Sequence, residues 1–347
     1  MGQGLPWLRV ERVALHGELR CLLQGSQRLL ARHGRSRPMV AVVVLVCTVI
    51  LVPHGLPNLG TKAIALTSST RIEQSDHKGF DTCSSVTTSG MQTWWYDSPY
   101  GAYGFYIDVL NGTCFYPSAT FVSTVQSQGW NVMPLFSGRQ VERACYPSGF
   151  TYPGYSKVLS SDLTTDSSLA DTDAQTAIST AENAGIDWGS DIYIDMEAYA
   201  PSQTDNGVSC NSIVNAYLSE FVTDLVTRYC GSGVNHYPCP YHVGIYALTE
   251  ASDMASFASF NNVPGEVWGA QADGNATTWN FHAVSNSDWY EDQRIKQYVG
   301  DSTENYGGVQ LLIDRDCVNT LVDGSDSLWK EGSESSESYS SGDDPGC

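Results

Sequence analysis

The chain has 347 residues and a formal net charge of −20 at pH 7, long enough for one large domain with tails or two small domains. Residues 1–38 hold seven Arg and two acids, so the rest of the chain carries about −25. A body that acidic repels phosphates, which excludes nucleic acid as its partner.

Behind the basic leader, Met39 to Val52 is an almost unbroken apolar run closed by Pro53. As a helix it would span roughly 21 Å, short of the roughly 30 Å core of a bilayer. With the Arg-rich flank and Ala63-Ile-Ala65 downstream, it reads as a secretory signal cleaved after Ala65. An uncleaved type II signal anchor through 39–52 is the alternative, with the basic end cytoplasmic. Either way the body is expected outside the cytosol. The expected organisation is a leader over 1–65, a linker over 66–77, a folded domain over 78–330, and an acidic Ser-rich tail over 331–347 too polar to fold.

From Lys78 the chain alternates strand-like and helix-like pieces, the pattern of a parallel α/β fold. Strands are expected over 79–83, 102–108, 130–136, 191–199, 242–248, 266–271, 294–299 and 309–314. Helices are expected over 86–96, 119–128, 172–184, 212–229 and 252–260. The 212–229 helix is the plainest, because Ile213, Val214, Tyr217, Leu218, Phe221, Val222, Leu225 and Val226 form one apolar stripe. Two long loops, 137–170 and 272–290, break the alternation, and loops that long are usually functional or mobile. Eight strands with helices between them over about 250 residues match a (β/α)8 barrel, regular or modified.

Ten Cys occur, eight of them beyond the leader, with no metal-type Cys-x-x-Cys spacing. They read as disulfides of an oxidising compartment. Cys114 and Cys145 follow strands two and three and are expected to pair. Cys230 and Cys239, flanking a short turn, form the second expected pair. Asn111-Gly-Thr113 and Asn275-Ala-Thr277 are glycosylation sequons.

Within Asp191-Ile-Tyr-Ile-Asp-Met-Glu-Ala-Tyr199, strand alternation puts Tyr193, Asp195 and Glu197 on one face. Two neighbouring carboxylates push one pKa up, which suits a general acid beside an ionised partner. In a barrel, active groups sit at the C-terminal strand ends. That rule gathers Asp81, Asp195, Glu197 and Asp314 around one mouth, with Gln297 and Tyr298 between. Nothing in the residues calls for a metal or cofactor: there is no EF-type loop and no His-rich set.

Gly79-Phe-Asp-Thr-Cys83, Ile192 to Tyr199, Lys296-Gln-Tyr298 and Gly307 to Asp316 resemble the glycoside-hydrolase-like domain family also known as domain of unknown function 1906. The piece from Met91 to Tyr100 looks like the same family. The resemblance covers Lys78 to Val322. That family is in turn similar to the family 25 glycoside hydrolases, N-acetylmuramidase lysozymes with a modified barrel. Their pattern places an Asp on strand one, Asp-x-Glu on strand four, Gln-Tyr on strand seven and Val-Asp-x-Asn on strand eight. Asp81, Asp195, Glu197, Gln297, Tyr298 and Asp314 match it, while Asp316 stands where the lysozymes have Asn.

The resemblance implies hydrolysis of β-1,4-linked N-acetylhexosamine polymers such as peptidoglycan. Glu197 is the expected acid, the deeper of the pair, and Asp195 the expected ionised partner that orients an N-acetyl group or activates water. Asp81 and Asp314 would tune charge and hold the sugar. Tyr106, Tyr193, Tyr199, Trp268 and Tyr298 are the candidate stacking rings. A non-catalytic cell-wall or glycan-binding barrel is the alternative.

Overall fold

The computed structural model describes residues 77–108, 114–228, 241–289, 293–320 and 347, all within the compact unit Thr67–Cys347. The leader, the apolar run 39–52 and the Cys230–Cys239 pair lie outside the described residues. So does the tail except Cys347. Among the described residues no helix is long and apolar enough to cross a membrane.

Eight strands form a closed barrel: β1 (Lys78–Asp81), β2 (Ala102–Tyr106), β3 (Asn131–Phe136), β4 (Asp191–Met196), β5 (His242–Leu248), β6 (Glu266–Ala270), β7 (Gln293–Tyr306) and β8 (Val309–Thr320). They pair in chain order, and β8 closes on β1. Strands β1 to β7 run parallel. The departure from a regular (β/α)8 repeat is β8, which is antiparallel to both neighbours. Its cause is local. Gly307 and Gly308 adopt positive φ, 56° and 85°, and a two-residue turn of that kind joins antiparallel strands directly. A parallel eighth strand would have needed a crossover of a dozen residues or more.

The four longer helices begin at a side-chain cap. Thr87 caps α1 (Thr88–Asp97), Ser118 caps α2 (Ala119–Gln128), and Ser209 caps α4 (Cys210–Thr223). These caps accept otherwise unpaired backbone N–H groups of the first turn. Gly129 and Gly185 end α2 and α3 in the left-handed conformation. The third helix, α3 (Leu163–Ala184), starts nine residues earlier than the sequence suggests. Its first turns are Thr- and Ser-rich, poor helix formers whose hydroxyls compete for the backbone. Asp162 overrides that by accepting from the N–H groups of Thr164 and Thr165, each at 3.2 Å. The loop before it therefore shrinks to 137–162. A short helix, α5 (Met254–Phe257), follows β5. Among the described residues none follows β6.

Strand alternation divides the core in two. Phe80, Tyr103, Phe105, Ile192 and Ile194 face the helices. Ala102, Met133, Leu135, Tyr193, Tyr246, Trp268, Ile295 and Val318 fill the barrel. Two missing side chains make room for the large ones. A Cβ on Gly104 would lie 2.8 Å from the Trp268 ring, and one on Gly244 would lie 2.4 Å from the Tyr193 ring.

Among the described residues the disulfides are Cys83–Cys114, Cys145–Cys210 and Cys317–Cys347. The expected Cys114–Cys145 bridge is absent. Cys114 instead returns to the loop after β1, where Phe115 N–H donates to the Cys83 carbonyl at 3.1 Å. Cys145 closes on the start of α4. Cys347 ends the tail on β8.

Candidate active site

The parallel strands β1 to β7 all end at one mouth, and the antiparallel strand delivers its acids there by register rather than by a strand end. Asp314 pairs with Asp81 and Asp316 with Gly79. Both are mid-strand residues of β8, because the β7–β8 hairpin runs on past the barrel.

Asp195 sits deepest. It is fully buried, and its Oδ2 accepts the Tyr106 hydroxyl at 2.9 Å. Its Oδ1 is buried without a hydrogen-bond partner among the described residues. Burial, then the charge of Glu197, hold its pKa well above the usual carboxylate range against the hydrogen bond from Tyr106. Glu197 lies one residue past the end of β4 and is only half-buried. Burial and then the charge of Asp314 raise its pKa to about 7. The expected order of depth is thus reversed: Asp195 is the deeper acid and the harder to ionise.

Gln140 fixes this pair, and sequence reasoning missed it. Its fully buried amide donates to the carbonyls of Asp195 at 2.7 Å and Ser137 at 2.9 Å. It also accepts the Glu197 backbone N–H at 2.9 Å. It therefore replaces the sheet bonds that the chain loses as it leaves β4. Its only sequence signal is its place just after β3.

Across the barrel, Gln297 donates to Asp81 Oδ2 at 2.9 Å and to Asp314 Oδ2 at 3.4 Å. The Tyr246 hydroxyl donates to Gln297 Oε1 at 3.1 Å and so orients that amide. Tyr246 was legible from alternation along β5 but not singled out. Burial, then the charge of Asp314, push Asp81 up to about 8, while hydrogen bonds from Gln297 and Asp316 pull the other way. Asp314 accepts the Asp301 backbone N–H at 2.6 Å. Burial raises its pKa and that hydrogen bond lowers it.

Asp316 is fully buried. Its Oδ1 accepts the Trp268 indole N–H at 3.0 Å. Burial, then the charge of Asp81, raise its pKa far above the ordinary value, and a hydrogen bond to Asp81 adds to the rise. Protonated, Asp316 is the donor that Asp81 receives, the part an Asn amide plays without titrating.

Of the other rings, Trp268 and Tyr193 are sealed inside the barrel, edge-on with centroids 5.4 Å apart. Tyr193 donates to Glu266. Tyr199 is also fully buried, donating to Asn211 at 3.1 Å and accepting the Asp253 N–H at 3.0 Å. Tyr298 follows Gln297 on β7 and so takes the opposite face. There burial raises its pKa, and the Arg315 charge pulls the other way. Among the expected rings, Tyr106 and Trp268 meet acids of the mouth directly, Tyr106 at Asp195 and Trp268 at Asp316.

Five carboxyls thus converge, and among the described residues no Lys, Arg or His pairs with any of them. Such a set cannot be fully ionised, because like charges in a dry site cost several kcal/mol each. No group of His, Cys, Asp and Glu among the described residues has the arrangement of a metal site. The arrangement can hold and pass protons.

Solved structures of similar fold include the Mycobacterium tuberculosis Tat-secreted protein Rv2525c in complex with L-tartrate. It is 14% identical, with a TM-score of 0.42, over 72% of this chain and 98% of that one. The catalytic domain of endolysin ply40 from bacteriophage P40 of Listeria monocytogenes is 12% identical, with a TM-score of 0.40, over 70% and 93%. The lysozyme of Streptomyces coelicolor is 14% identical, with a TM-score of 0.39, over 71% and 94%. No curated protein sequence matches the chain. The model of the Rv2525c-like, glycoside hydrolase-like domain matches residues 92–318, a span that holds every acid of the mouth except Asp81, and the chain belongs to that family.

Proposed function

We propose that the protein is an exported glycoside hydrolase that cleaves β-1,4 links of N-acetylhexosamine polymers such as peptidoglycan, with Glu197 as general acid. The observation that carries this reading is the gathering of the acids at one mouth, where Glu197 and Asp314 are the two left half-buried. Glu197 is held near 7 by burial and the charge of Asp314. Burial raises the pKa of Asp314, and the Asp301 backbone N–H that it accepts offsets part of that rise. Acids whose environments push their pKa values apart divide naturally into a donor and a carboxylate.

Glu197 gives its proton to the leaving glycosidic oxygen as the bond to the anomeric carbon breaks. The Asp314 carboxylate faces the positive charge that develops there and takes the proton of the water that completes the cleavage. Asp195, neutral and bonded to Tyr106, backs Glu197 without adding a second charge beside it. Asp81, held by Gln297 and Asp316, is the sugar-holding group on the opposite wall.

Export is supported by the disulfides among the described residues, which persist in oxidising compartments. The secretory signal remains our reading of the leader, with the type II anchor as the form it would take if uncleaved.

The test is release of reducing ends from purified peptidoglycan and from chitin by wild type and Glu197→Gln. Wild type should release them and the variant should not. Wild type that binds either polymer and never cuts it would make the barrel a glycan-binding module instead.

A further inference from the structure

The loop over 137–162 carries four clustered aromatic rings, of which only Tyr146 packs against the core. Tyr146, Phe150, Tyr152 and Tyr155 form one cluster, with centroid separations of 6.4, 5.2, 6.3 and 5.6 Å for the pairs 146–150, 146–152, 146–155 and 152–155. The rings meet edge to face, so no two of them stack face on face. Phe150 is 52% exposed, and the three tyrosines are half-buried.

The cluster is fixed relative to the acids. At its feet, Gln140 N–H donates to the Lys157 carbonyl at 3.1 Å, and Leu159 N–H donates to the Gln140 carbonyl at 2.8 Å. Gln140 is the same residue whose amide clamps Asp195 and Glu197. Beside Tyr146, Cys145 is bonded to Cys210 of α4, and its carbonyl accepts the Ala200 N–H at 2.8 Å. Glu197 lies close enough for its charge to act on both Tyr146 and Tyr155, and Asp195 acts on Tyr155.

The chemistry of the loop is selective. From Ala144 to Ser156 it has no charged residue, in a chain of net charge −20. Rings and hydroxyls without charge complement an uncharged, hydroxylated ring with an apolar C–H face. They do not complement a charged peptide or a phosphate.

We propose that Tyr146, Phe150, Tyr152 and Tyr155 form a sugar-binding subsite that stacks a pyranose ring of the polymer beyond the one held at the acids. It follows that the protein takes extended chains in preference to disaccharides. The proposal rests on the glycan reading of the acid mouth.

The test measures binding of soluble β-1,4 N-acetylglucosamine oligomers to full-length Glu197→Gln, so that turnover does not intrude. The hexamer should bind at least about tenfold more tightly than the dimer, the worth of one or two stacked rings. Tyr155→Ala and Phe150→Ala should each weaken hexamer binding about three- to tenfold and bring the hexamer-to-dimer ratio toward one. Phe150 is exposed enough that its variant tests the ledge without testing the fold. Hexamer affinity unchanged in both variants would overturn the proposal while leaving the acid site intact. Binding of neither oligomer by Glu197→Gln would overturn the glycan reading and the ledge with it. Ledge-dependent hexamer binding in a protein whose wild type cuts no glycan would keep the subsite and remove the enzyme.

Discussion

At the N-terminal ends of the parallel strands, Asp191 and Glu266 are the first residues of β4 and β6, both buried. At the C-terminal ends, Asp195, Glu197, Asp81, Asp314 and Asp316 are gathered around the mouth. Both ends bury carboxyls at a cost. Asp191 is raised well above the ordinary range by burial and then by the charge of Glu266, as Asp195 is by burial and Glu197. The difference lies in access and in what fixes the groups. At the other end Asp191 and Glu266 are buried, with Tyr193 donating to Glu266 and the exposed His242 3.9 Å from Asp191. The mouth leaves Glu197 and Asp314 half-buried and spends two amides, those of Gln140 and Gln297, on aiming its acids. A raised pKa alone therefore does not mark a site. A raised pKa on a group that is held in place and reachable does.

The sharpest way to break this comparison is to remove one acid from each end. Glu197→Gln should cut turnover by about a hundred- to ten-thousandfold, the usual worth of a general acid. It should also stabilise the fold at high pH. The folded pKa of Glu197 lies above its unfolded value, about 7 against 4.5, so wild type loses stability as pH rises through that window. The amide does not titrate, so the variant should gain about 3 kcal/mol above pH 7 and nothing below pH 4. Urea unfolding at the two pH values measures this. A variant equally inactive but less stable at pH 8 would mean that Glu197 supports the fold.

Gln140→Ala comes next. It leaves the Asp195 carbonyl and the Glu197 N–H without their partner and opens a cavity. The expected cost is about 2–4 kcal/mol of stability, with turnover falling about tenfold or more as Glu197 loses its position. Denaturant melts and initial rates would separate the two losses. A stable variant with full activity would show that the acid pair needs no clamp.

Much of this arrangement was legible in the chain, and the reasons are physical. Period-two alternation along Asp191 to Tyr199 puts Asp195 inside the barrel whatever the details of packing. The order and ends of the strands follow from apolar runs bounded by Gly, Pro and polar residues. What escaped depends on backbone reversal and burial depth. Gly307-Gly308 turns the last strand around, yet Asp314 still reaches the mouth because the register sets it opposite Asp81. Glu197 ends outside the strand because β4 stops at Met196, so the two acids of Asp-x-Glu differ in depth. Cys145 pairs with Cys210 because the loop after β3 folds over the start of α4, a contact that no spacing along the chain announces.

Two smaller effects sharpen the comparison further. Asp316→Asn should fold and work close to wild type, since its carbonyl can accept from Trp268 and its amide can donate to Asp81. Asp316→Ala should cost about 2–3 kcal/mol by stranding both partners. Thermal melts of the two variants side by side would decide it, and an Asn variant as damaged as the Ala variant would contradict the proton assigned to Asp316. At the N-terminal end, Asp191→Asn should leave turnover within about twofold and raise stability at pH 8, where a buried charge is relieved. A large loss of turnover there would mean that the two ends are not independent.

The central claim is tested most directly by the pH dependence of reducing-end release from peptidoglycan, wild type against Glu197→Gln. A general acid with a pKa of about 7 must be protonated to act, so wild-type release should fall as pH rises through that value, and the variant should stay inactive across the range. Release that is undiminished at pH 9, or a Gln variant that follows the wild-type curve, would contradict the account.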